Sequence, residues 1–427
     1  MPHAAAGAGP SRRVPNYAAE VPRERVLIRA GAVLIALALL AGCGGSGPNA
    51  NRSTDDELVL GNIGSYSGGQ SSSFVGAQQV IKAWASWVND HGGLAGHRIR
   101  LVVKDDASDP ATGLRVAHEL VEHDHVVAIV GDESTVDEAW ASYVTKQGIP
   151  VVGGASVNAP FLTNPNFFPS GTTSLAMLYQ TLVLAKSIGP RFGFLYCVGV
   201  ALCNEGASVL PLLTKPMGLQ VPVSAPVSTS APDYVAVCQR LKQARVDSYE
   251  VVAGSATVLR IAAACRAQGV TARFIASDGT ITAAWLDEPA VDGALAAEID
   301  FPYTDASVPA TREYQQAIAR YAPELGSANG PNASYAWVAG KLFEKAVAAS
   351  GSSHVTPESV KQGLYHLHDE TLGGLAPPLN FKPGAPALIS CGFTLEIKNG
   401  KVLTPNGLRT TCLPADVLIR ILTGLGR

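Results

Sequence analysis

VVAIVGDESTVDEAWASYVTKQGIPVV, residues 126–152, is the stretch that most clearly indicates the fold class. It predicts a buried strand over Val126–Val130, a helix over Val136–Gln147 and a second buried strand over Ile149–Val152. Both strand segments are almost continuously apolar, which is typical of a parallel sheet with helices on its two faces. The stretch therefore predicts an α/β protein in which strands and helices alternate.

The same alternation continues on both sides of this stretch. Upstream, the pattern predicts strands over Leu58–Ile63 and Ile99–Val103 and helices over Phe74–Asn89 and Ala111–Glu122. A second series starts after residues 169–171, with helices over Leu175–Ile188, Gly206–Leu213, Val235–Ala244 and Thr257–Ala267 and strands over Phe192–Tyr196, Ser248–Val252 and Phe274–Ala276. Two α/β lobes are therefore expected, each built on a doubly wound parallel sheet.

The last third of the chain carries further signals. Long helices are predicted over Arg312–Tyr321 and Tyr335–Ala349, followed by a shorter helix over Pro357–Tyr365. Near the end, Asn399-Gly400 separates two strand-like runs, and this dipeptide favours the type I′ turn of a β-hairpin. The sequence therefore predicts that the chain ends with antiparallel strands.

Composition limits the classes of partner. The chain has 427 residues, which fits two domains at roughly 100–200 residues each. Its formal net charge is −3, and without residues 1–42, which hold five arginines and two glutamates, 27 basic and 33 acidic residues leave −6. A mildly acidic protein has no electrostatic attraction for nucleic acid, so no nucleic-acid partner is expected.

The N-terminal segment predicts export. Three arginines precede an apolar run over residues 30–41, which is shorter than the roughly 20 residues of a spanning helix and typical of a signal peptide. Leu40-Ala41-Gly42-Cys43 resembles a bacterial lipobox, in which a peptidase cuts before the cysteine and the thiol carries diacylglycerol. We expect a lipoprotein signal peptide over 1–42, lipidation of Cys43 and a flexible tether over 43–56. The alternatives are an ordinary cleaved signal or an N-terminal anchor.

The cysteine count agrees with lipidation. Seven cysteines are odd in number, and removing Cys43 leaves six that can pair outside the cytoplasm. Six cysteines allow 15 pairings. Their spacing favours local pairs, Cys197 with Cys203 and Cys391 with Cys412, which leaves Cys238 and Cys265 as the remaining two. Structural thiols or metal ligands are the alternatives, although the absence of any CxxC pair argues against zinc.

Small polar residues follow several predicted strands, where ligands bind in open parallel sheets. Ser134 and Thr135 follow one strand, and Ser156 and Asn158 follow the next. Hydroxyls and free N–H groups at such positions bind a carboxylate or phosphate, although the same residues also serve as helix caps. Asp278, in the second lobe, is expected to hold an ammonium group. This set describes a zwitterion such as an α-amino acid.

Several motifs carry a family resemblance over roughly Leu58 to Leu403. They are Ser67-Gly68, Trp87-Val88-Asn89, Gly92-Gly93-Leu94-Ala95-Gly96, Lys104-Asp105-Asp106-Ala107-Ser108-Asp109-Pro110, Gly148-Ile149-Pro150-Val151, Asn158-Ala159-Pro160-Phe161-Leu162-Thr163 and Ser277-Asp278-Gly279. With them the chain resembles the Leu/Ile/Val-binding-protein group of type I periplasmic binding proteins, the receptors of ABC importers. The resemblance implies two lobes joined by a three-strand hinge, with residues 57–171 plus 300–372 in the N-terminal lobe and 172–299 plus 373–415 in the C-terminal lobe.

The resemblance also implies roles for individual residues. Ser134 matches the serine that takes the ligand carboxylate, and Ser156 matches a residue whose carbonyl accepts from the ammonium group. Asn158 replaces a threonine, and Asp278 replaces the glutamate of branched-chain receptors. Phe74 lies near an aromatic wall of the side-chain pocket. Ser255 and its neighbour replace a tyrosine pair, which leaves space for a larger ligand, an amide or an amine.

The function expected from the sequence is that of a binding protein and not of an enzyme. No G-x-S-x-G, P-loop or H-E-x-x-H motif is present, and no cofactor or metal is expected. The histidines at 118, 123 and 125 fit a solvated helix end better than a zinc site. We expect a monomeric, lipid-anchored receptor on the outer face of the bacterial cell membrane, which delivers an amino acid or related small polar ligand to an ABC permease. The alternative is a tethered sensor of the same fold that signals through a partner protein.

Overall fold

The computed structural model describes residues 57–418 except positions 157, 199–200, 278–279 and 415. The predicted signal peptide, Cys43, the tether and Asp278 lie outside the described residues. Within them, the two predicted doubly wound α/β lobes are present. No helix among these residues is long and apolar enough to cross a membrane.

The first lobe is built on a five-stranded sheet in which all neighbouring strands are parallel. Its elements are β1 (Glu57–Gly64), α1 (Ala77–Asp90), β2 (Arg98–Asp105), α2 (Pro110–His118), β3 (Ile129–Asp132), α3 (Glu138–Lys146), β4 (Val151–Gly154), α4 (Ala159–Thr163) and β5 (Phe167–Phe168). The strand order β2-β1-β3-β4-β5 places the end of β3 beside the ends of β1 and β4. The polar residues that follow these strands therefore meet at one edge of the sheet.

The second lobe has a larger sheet in the order β12-β11-β10-β9-β8-β6-β7, with β13 paired to β11. Its elements are α5 (Ser174–Ile188), β6 (Arg191–Cys197), α6 (Ala201–Met217), β7 (Gln220–Val227), α7 (Val235–Gln243), β8 (Ser248–Val252), α8 (Ser255–Ala267), β9 (Arg273–Ser277) and β10 (Leu295–Glu298). The chain then forms α9 (Pro309–Tyr321), α10 (Pro331–Ser350) and α11 (Pro357–Tyr365), and ends in β11 (Cys391–Lys398), β12 (Lys401–Leu403) and β13 (Thr411–Cys412).

Helix α10 is the centre of the first lobe's core. It packs on β3, β4, α1 and α11 and is buried along most of its length. Trp337 on α10 and Trp84 on α1 are both fully buried in the same apolar cluster. Close packing of large apolar groups is the main favourable term in folding, so α10 holds the helical layer on this face of the sheet.

Three chain segments cross side by side between the lobes and form the predicted hinge. The Thr172 N–H donates to the Ile299 carbonyl at 3.0 Å, and the Thr173 N–H donates to the Ile389 carbonyl at 3.2 Å. The Thr172 hydroxyl also donates to the Cys391 carbonyl. Because hydrogen bonds to Thr172 and Thr173 connect all three segments, the crossings form one connected hinge.

The third crossing lies later in the chain than the boundary at 372/373 indicates. Leu375, Leu379 and Phe381 are buried in the same apolar cluster as Trp84 and Trp337. The return to the second lobe then occurs close to Ile389, whose carbonyl accepts from Thr173. The other lobe bounds stay as predictions.

Strand β7 was not predicted from the sequence. Its residues, QVPVSAPV, include Pro222 and Pro226, which normally argue against a strand. Among the described residues, strand β7 is at the edge of the sheet and pairs only with β6. Prolines lack the N–H group that a central strand donates to a second neighbour, and an edge strand has no second neighbour. The predicted C-terminal hairpin is present as β11 and β12, with Asn399 and Gly400 at positive φ of 52° and 69°.

The six cysteines pair as their spacing favours. Disulfides join Cys197 to Cys203, Cys238 to Cys265, and Cys391 to Cys412. The second links α7 to α8, and the third links the directly paired strands β11 and β13. All three bonds lie in the second lobe, which they cross-link internally.

Candidate functional site

The loop after β3 brings three of the predicted site residues together. The Asn158 side-chain amide donates to the Ser134 carbonyl at 2.9 Å. The hydroxyls of Thr135 and Ser65 lie 2.9 Å apart, and the Ser65 hydroxyl donates to the Asp106 carboxylate at 2.8 Å. The ends of β1, β2, β3 and β4 are thus joined by one polar network, as their positions in the parallel sheet require.

The backbone N–H groups of this loop are used within the protein. The Ser134 N–H donates to the Asp132 carboxylate, the Thr135 N–H to the Ser65 hydroxyl and the Val136 N–H to the Ser134 hydroxyl, each at 3.0 Å. The predicted role of Ser134 requires its hydroxyl and N–H to face a ligand carboxylate. In this arrangement the N–H donates to Asp132 and the hydroxyl oxygen accepts from Val136, as in a helix cap, and neither bond uses the hydroxyl hydrogen.

Ser156 and Phe74 lie on the neighbouring wall of the same region. The Ser156 hydroxyl donates to the Gly154 carbonyl at 3.2 Å, and its side chain is fully buried. Phe74 packs in one small apolar cluster with Ala155, Ile299 and Tyr335, and Tyr66 lies against that cluster. Aromatic rings therefore lie next to the polar strand ends, close to Ile299 in the second of the three segments that cross between the lobes.

Four carboxyl groups are buried around the β3 loop, and the sequence reading did not single them out. Asp106, Asp132, Glu133 and Asp137 are each at most 1% exposed. Burial, followed by the neighbouring Asp132 and Asp300 carboxylates, raises the pKa of Glu133 well above its usual value. Burial also raises the pKa of Asp132 and of Asp137. In the sequence, the pair Asp132-Glu133 directly after a strand that is buried on both faces indicates that carboxyl groups are buried here.

In the second lobe, Ser255 begins α8 and is almost fully buried. Its hydroxyl accepts a hydrogen bond from the buried Trp285 indole at 2.9 Å and lies 3.4 Å from the Thr282 hydroxyl. The serine therefore holds the loop after β9 against the start of α8. Asp278, on that same loop, lies outside the described residues, so its predicted contact with an ammonium group stays a prediction.

A cavity of ≈350 Å³ lies between the lobes at Ser255. The described residues that line it carry hydroxyl, amide and apolar side chains and no charged side chain: Ser72, Ser73, Val75, Ser255, Ala256, Leu259, Ile281, Thr282, Ala283, Ala284, Gly330, Asn332 and Ala333. Asn332 donates to the Ser73 carbonyl at 2.6 Å and so orders the first lobe's side of the wall. A cavity of this size and lining suits the uncharged part of a small organic molecule.

A second cavity of ≈510 Å³ adjoins the first and shares Thr282 and Ala283 with it. It continues between Tyr303 and Asn329 on one side and the β11–β12 turn on the other. A third cavity of ≈260 Å³ shares Leu286 and Gly400 with the second, but the described residues that line it come from the second lobe alone and include no predicted site residue. The interlobe pair is therefore the candidate ligand cleft.

The histidines considered as metal ligands have ordinary structural contacts. His118 stacks on Tyr143 and pairs with Glu122 at 2.8 Å on the surface of the first lobe. Among the residues that the structure describes, no three His, Cys, Asp or Glu side chains are placed to hold a metal ion.

Comparisons with known proteins agree with this architecture. A structure from Thermus thermophilus, a branched-chain amino acid ABC transporter protein with bound valine, aligns with a TM-score of 0.73, 17% identity and coverage of 86% of this chain and 99% of that one. A substrate-binding periplasmic protein from Ralstonia solanacearum aligns with a TM-score of 0.68, 23% identity and coverage of 81% and 99%. At these identities the likeness concerns the fold alone.

Sequence comparison extends the likeness to the family level. An amino acid binding protein of Pseudomonas aeruginosa is 24% identical over 242 residues, which are 53% of this chain and 62% of that protein. The chain thus spans less than two thirds of the length of the curated relatives that it matches. The family model described as periplasmic binding protein matches residues 57–401, which includes both sheets and the interlobe cleft. The chain therefore belongs to the periplasmic binding protein family.

Proposed function

We propose that this protein is an extracytoplasmic solute receptor that binds one small organic ligand between its lobes and delivers it to an ABC permease. The observation that carries the proposal is the ≈350 Å³ cavity, whose walls come from both lobes. A ligand that contacts both walls binds the closed arrangement more tightly than the open one and so stabilises it. The lobes open and close by movement at the three crossing segments. No bond is made or broken in this function.

The ligand class follows from the family and from the cavity wall. Similar proteins include an amino acid binding protein and, by fold, a branched-chain amino acid ABC transporter protein with bound valine. The described residues that wall the cavity around Ser255 and Ala256 include no charged side chain, so this wall suits an apolar or amide-bearing side chain. An amino acid, its amide or a related amine is therefore the proposed ligand. Calorimetry against a panel of these compounds tests the proposal, and no binding at millimolar concentration across the panel would overturn it.

Replacing Ala256 by tryptophan should weaken binding of the tightest panel ligand by at least about tenfold, which is about 1.4 kcal/mol. Ala256 is exposed in the first turn of α8 and lines the cavity, so an indole there occupies the ligand's space. Ala267 is the matched control, because it is exposed at the other end of the same helix and lines none of the cavities described above. Ala267→Trp should bind normally, and equal affinities for both variants would place the ligand elsewhere.

The lipid anchor is a separate part of the proposal and depends on Cys43. Each buried methylene of a thioether-linked diacylglycerol contributes about 0.8 kcal/mol to membrane binding. Cys43→Ser should therefore move the protein from the membrane fraction to the soluble extracytoplasmic fraction, whereas Ser46→Ala should leave it on the membrane. Cell fractionation with intact mass measures both. A Cys43→Ser protein that stays on the membrane would indicate another anchor.

Measuring uptake of the ligand by cells distinguishes delivery to a permease from sensing. If the protein serves a permease, cells that lack it should lose uptake of the radiolabelled panel ligand, and the wild-type gene should restore uptake. Unchanged uptake with an altered transcriptional response to the ligand would instead support the sensor.

A further inference from the structure

Glu133 is a buried carboxyl group that the proposed binding mode does not use. Its side chain is fully buried, and neither carboxylate oxygen has a hydrogen-bond partner among the described residues. A buried carboxylate without a partner is costly, and buried polar groups in proteins are normally satisfied. The position therefore requires an explanation that the surrounding side chains do not supply.

The side chain of Glu133 faces the hinge side of the first sheet. The preceding residue, Asp132, lies near Asp106 and Glu138 on the α2–α3 side. Successive side chains along a strand point to opposite faces, which places Glu133 on the side of Tyr66 and Asp300. The backbone of Glu133 continues the β1–β3 pairing, with the Ser65 N–H donating to its carbonyl at 3.0 Å. The carboxyl is thus held firmly at the end of the sheet.

Aromatic rings surround this side of the sheet. Tyr66 donates to Asn62 at 2.7 Å and lies against the cluster that contains Phe74 and Tyr335. Loss of hydration and the nearby Glu133 carboxylate together raise the pKa of the Tyr66 phenol. Aromatic faces next to a carboxylate are the surroundings in which proteins bind organic cations.

The same region is unfavourable for an anion. The N–H groups at 134, 135 and 136 already donate to acceptors of the protein. Burial raises the pKa of Asp132 and Asp137 beside this loop, and no lysine or arginine of the described residues contributes to either shift, so the loop provides no positive charge for a ligand carboxylate. The loop that would hold the carboxylate of an amino acid thus offers it no free backbone N–H group at 134–136 and no positive charge.

We propose that Glu133 binds the cationic group of the ligand beside Tyr66 and Phe74, and that the ligand is an organic ammonium compound whose affinity does not require a carboxylate. The proposal rests on the proposed function, since it concerns the ligand of the same receptor. Its remaining, uncharged part lies toward the cavity at Ser255. An amine or an amino-acid amide fits this description, and an organic acid does not.

Matched ligands test the charge requirement on the purified protein by calorimetry. The probes are leucine, leucinamide and isocaproate, and phenylalanine, phenylalaninamide and hydrocinnamate, with choline as a quaternary cation. Within each set the compounds differ in their charged groups. We expect the amides to bind at least as tightly as the amino acids, and the acids without an amine not to bind. Tightest binding by an acid would overturn the proposal.

The variant Glu133→Gln keeps the size of the side chain and removes its charge. It should weaken every ammonium ligand by at least about 30-fold, as expected for loss of a buried charge partner. Glu138→Gln is the matched control, because Glu138 lies on the same segment but is exposed, and it should bind as the wild type does. Circular dichroism and thermal melting verify that both variants are folded.

Proton release provides a second readout. A cation that pairs with Glu133 lowers the pKa of this buried carboxyl, so binding should release a proton from the wild type. Calorimetry in two buffers of different ionisation enthalpy measures this release, which Glu133→Gln should abolish. If ligands bind but Glu133→Gln changes neither affinity nor proton release, the receptor function stands and the role of Glu133 is refuted. If no compound of any charge binds, the proposed function itself fails.

Discussion

The Gly363→Ala protein should lose about 3 kcal/mol or more of its free energy of unfolding, the range of severe overpacking. Gly363 lies in α11 where that helix crosses α10, and an added methyl group would overlap the backbone carbonyl of Ala346. A backbone atom inside a packed helix cannot move aside as the end of a flexible side chain can. The two helices must therefore separate, which also disturbs the core around Trp337.

Gly206→Ala is the matched control for this substitution. Gly206 lies inside α6, and the nearest atom to an added methyl group is Phe194 Cζ at 3.8 Å, an ordinary contact distance. Alanine is favoured over glycine in a helix by up to about 1 kcal/mol, so this variant should be as stable as the wild type or more stable. Urea unfolding measures both, and a Gly363→Ala protein within about 1 kcal/mol of the wild type would contradict the packing argument.

The second large effect expected is a decrease in stability as pH rises from about 5 to 8. Burial raises the pKa of Asp132, Glu133 and Asp137 above the ordinary carboxyl value of about 4. At pH values above that ordinary pKa, the folded protein binds more protons than the unfolded chain. The stabilisation that each bound proton provides is therefore lost as pH rises toward the pKa of the group in the folded protein. A tenfold change in proton affinity corresponds to about 1.4 kcal/mol, and the three groups act in the same direction.

Melting temperatures across this pH range test the effect. Exposed carboxyls whose pKa is lowered, such as Asp109 and Glu122, make the protein more stable as pH rises. They do so only at pH values below the ordinary carboxyl pKa, which lie outside this pH range. The double variant Glu133→Gln with Asp137→Asn should flatten the profile and be more stable than the wild type at pH 8. Glu324→Gln, which removes an exposed carboxyl that does not contribute to these three pKa shifts, should leave the profile unchanged. A wild-type melting temperature that rises with pH would show that these carboxyls are paired.

Local sequence patterns were sufficient for much of the fold. Apolar runs of four to eight residues, separated by helical periodicity, predicted the parallel strands on either side of α3, and Asn399-Gly400 predicted the hairpin. Cysteine spacing favoured local pairs, and each of the three disulfides joins neighbouring elements of the second lobe. Strand β7 was missed because its prolines are acceptable only on an outer strand, and a strand's place in the sheet is not visible in its own residues.

The candidate site shows the same division. Strand ends marked Ser134, Thr135, Ser156 and Asn158 as neighbours, and hydrogen bonds join Thr135 to Ser65 and Asn158 to Ser134, whereas Ser156 bonds the Gly154 carbonyl. Their hydrogen-bond partners were not predictable, since these depend on Asp106 and Asp132, which distant strands bring to the same sheet edge. Whether the N–H groups of the loop face a ligand or the protein is decided by these partners.

The sequence by itself determined the α/β class, the two lobes and the family, because each depends on local periodicity or on motifs of adjacent residues. Cysteine spacing favoured local pairs, and the structure decided which cysteines pair. Only the tertiary structure decided where the third crossing lies, which residues wall the interlobe cavity, and that Glu133 is buried beside aromatic rings. The physical reason is that burial and electrostatic environment arise from groups far apart in the chain. From the sequence, a carboxyl group after a strand is expected to be solvated. Glu133 becomes a buried acid with a raised pKa and no hydrogen-bond partner among the described residues only when distant parts of the chain cover it.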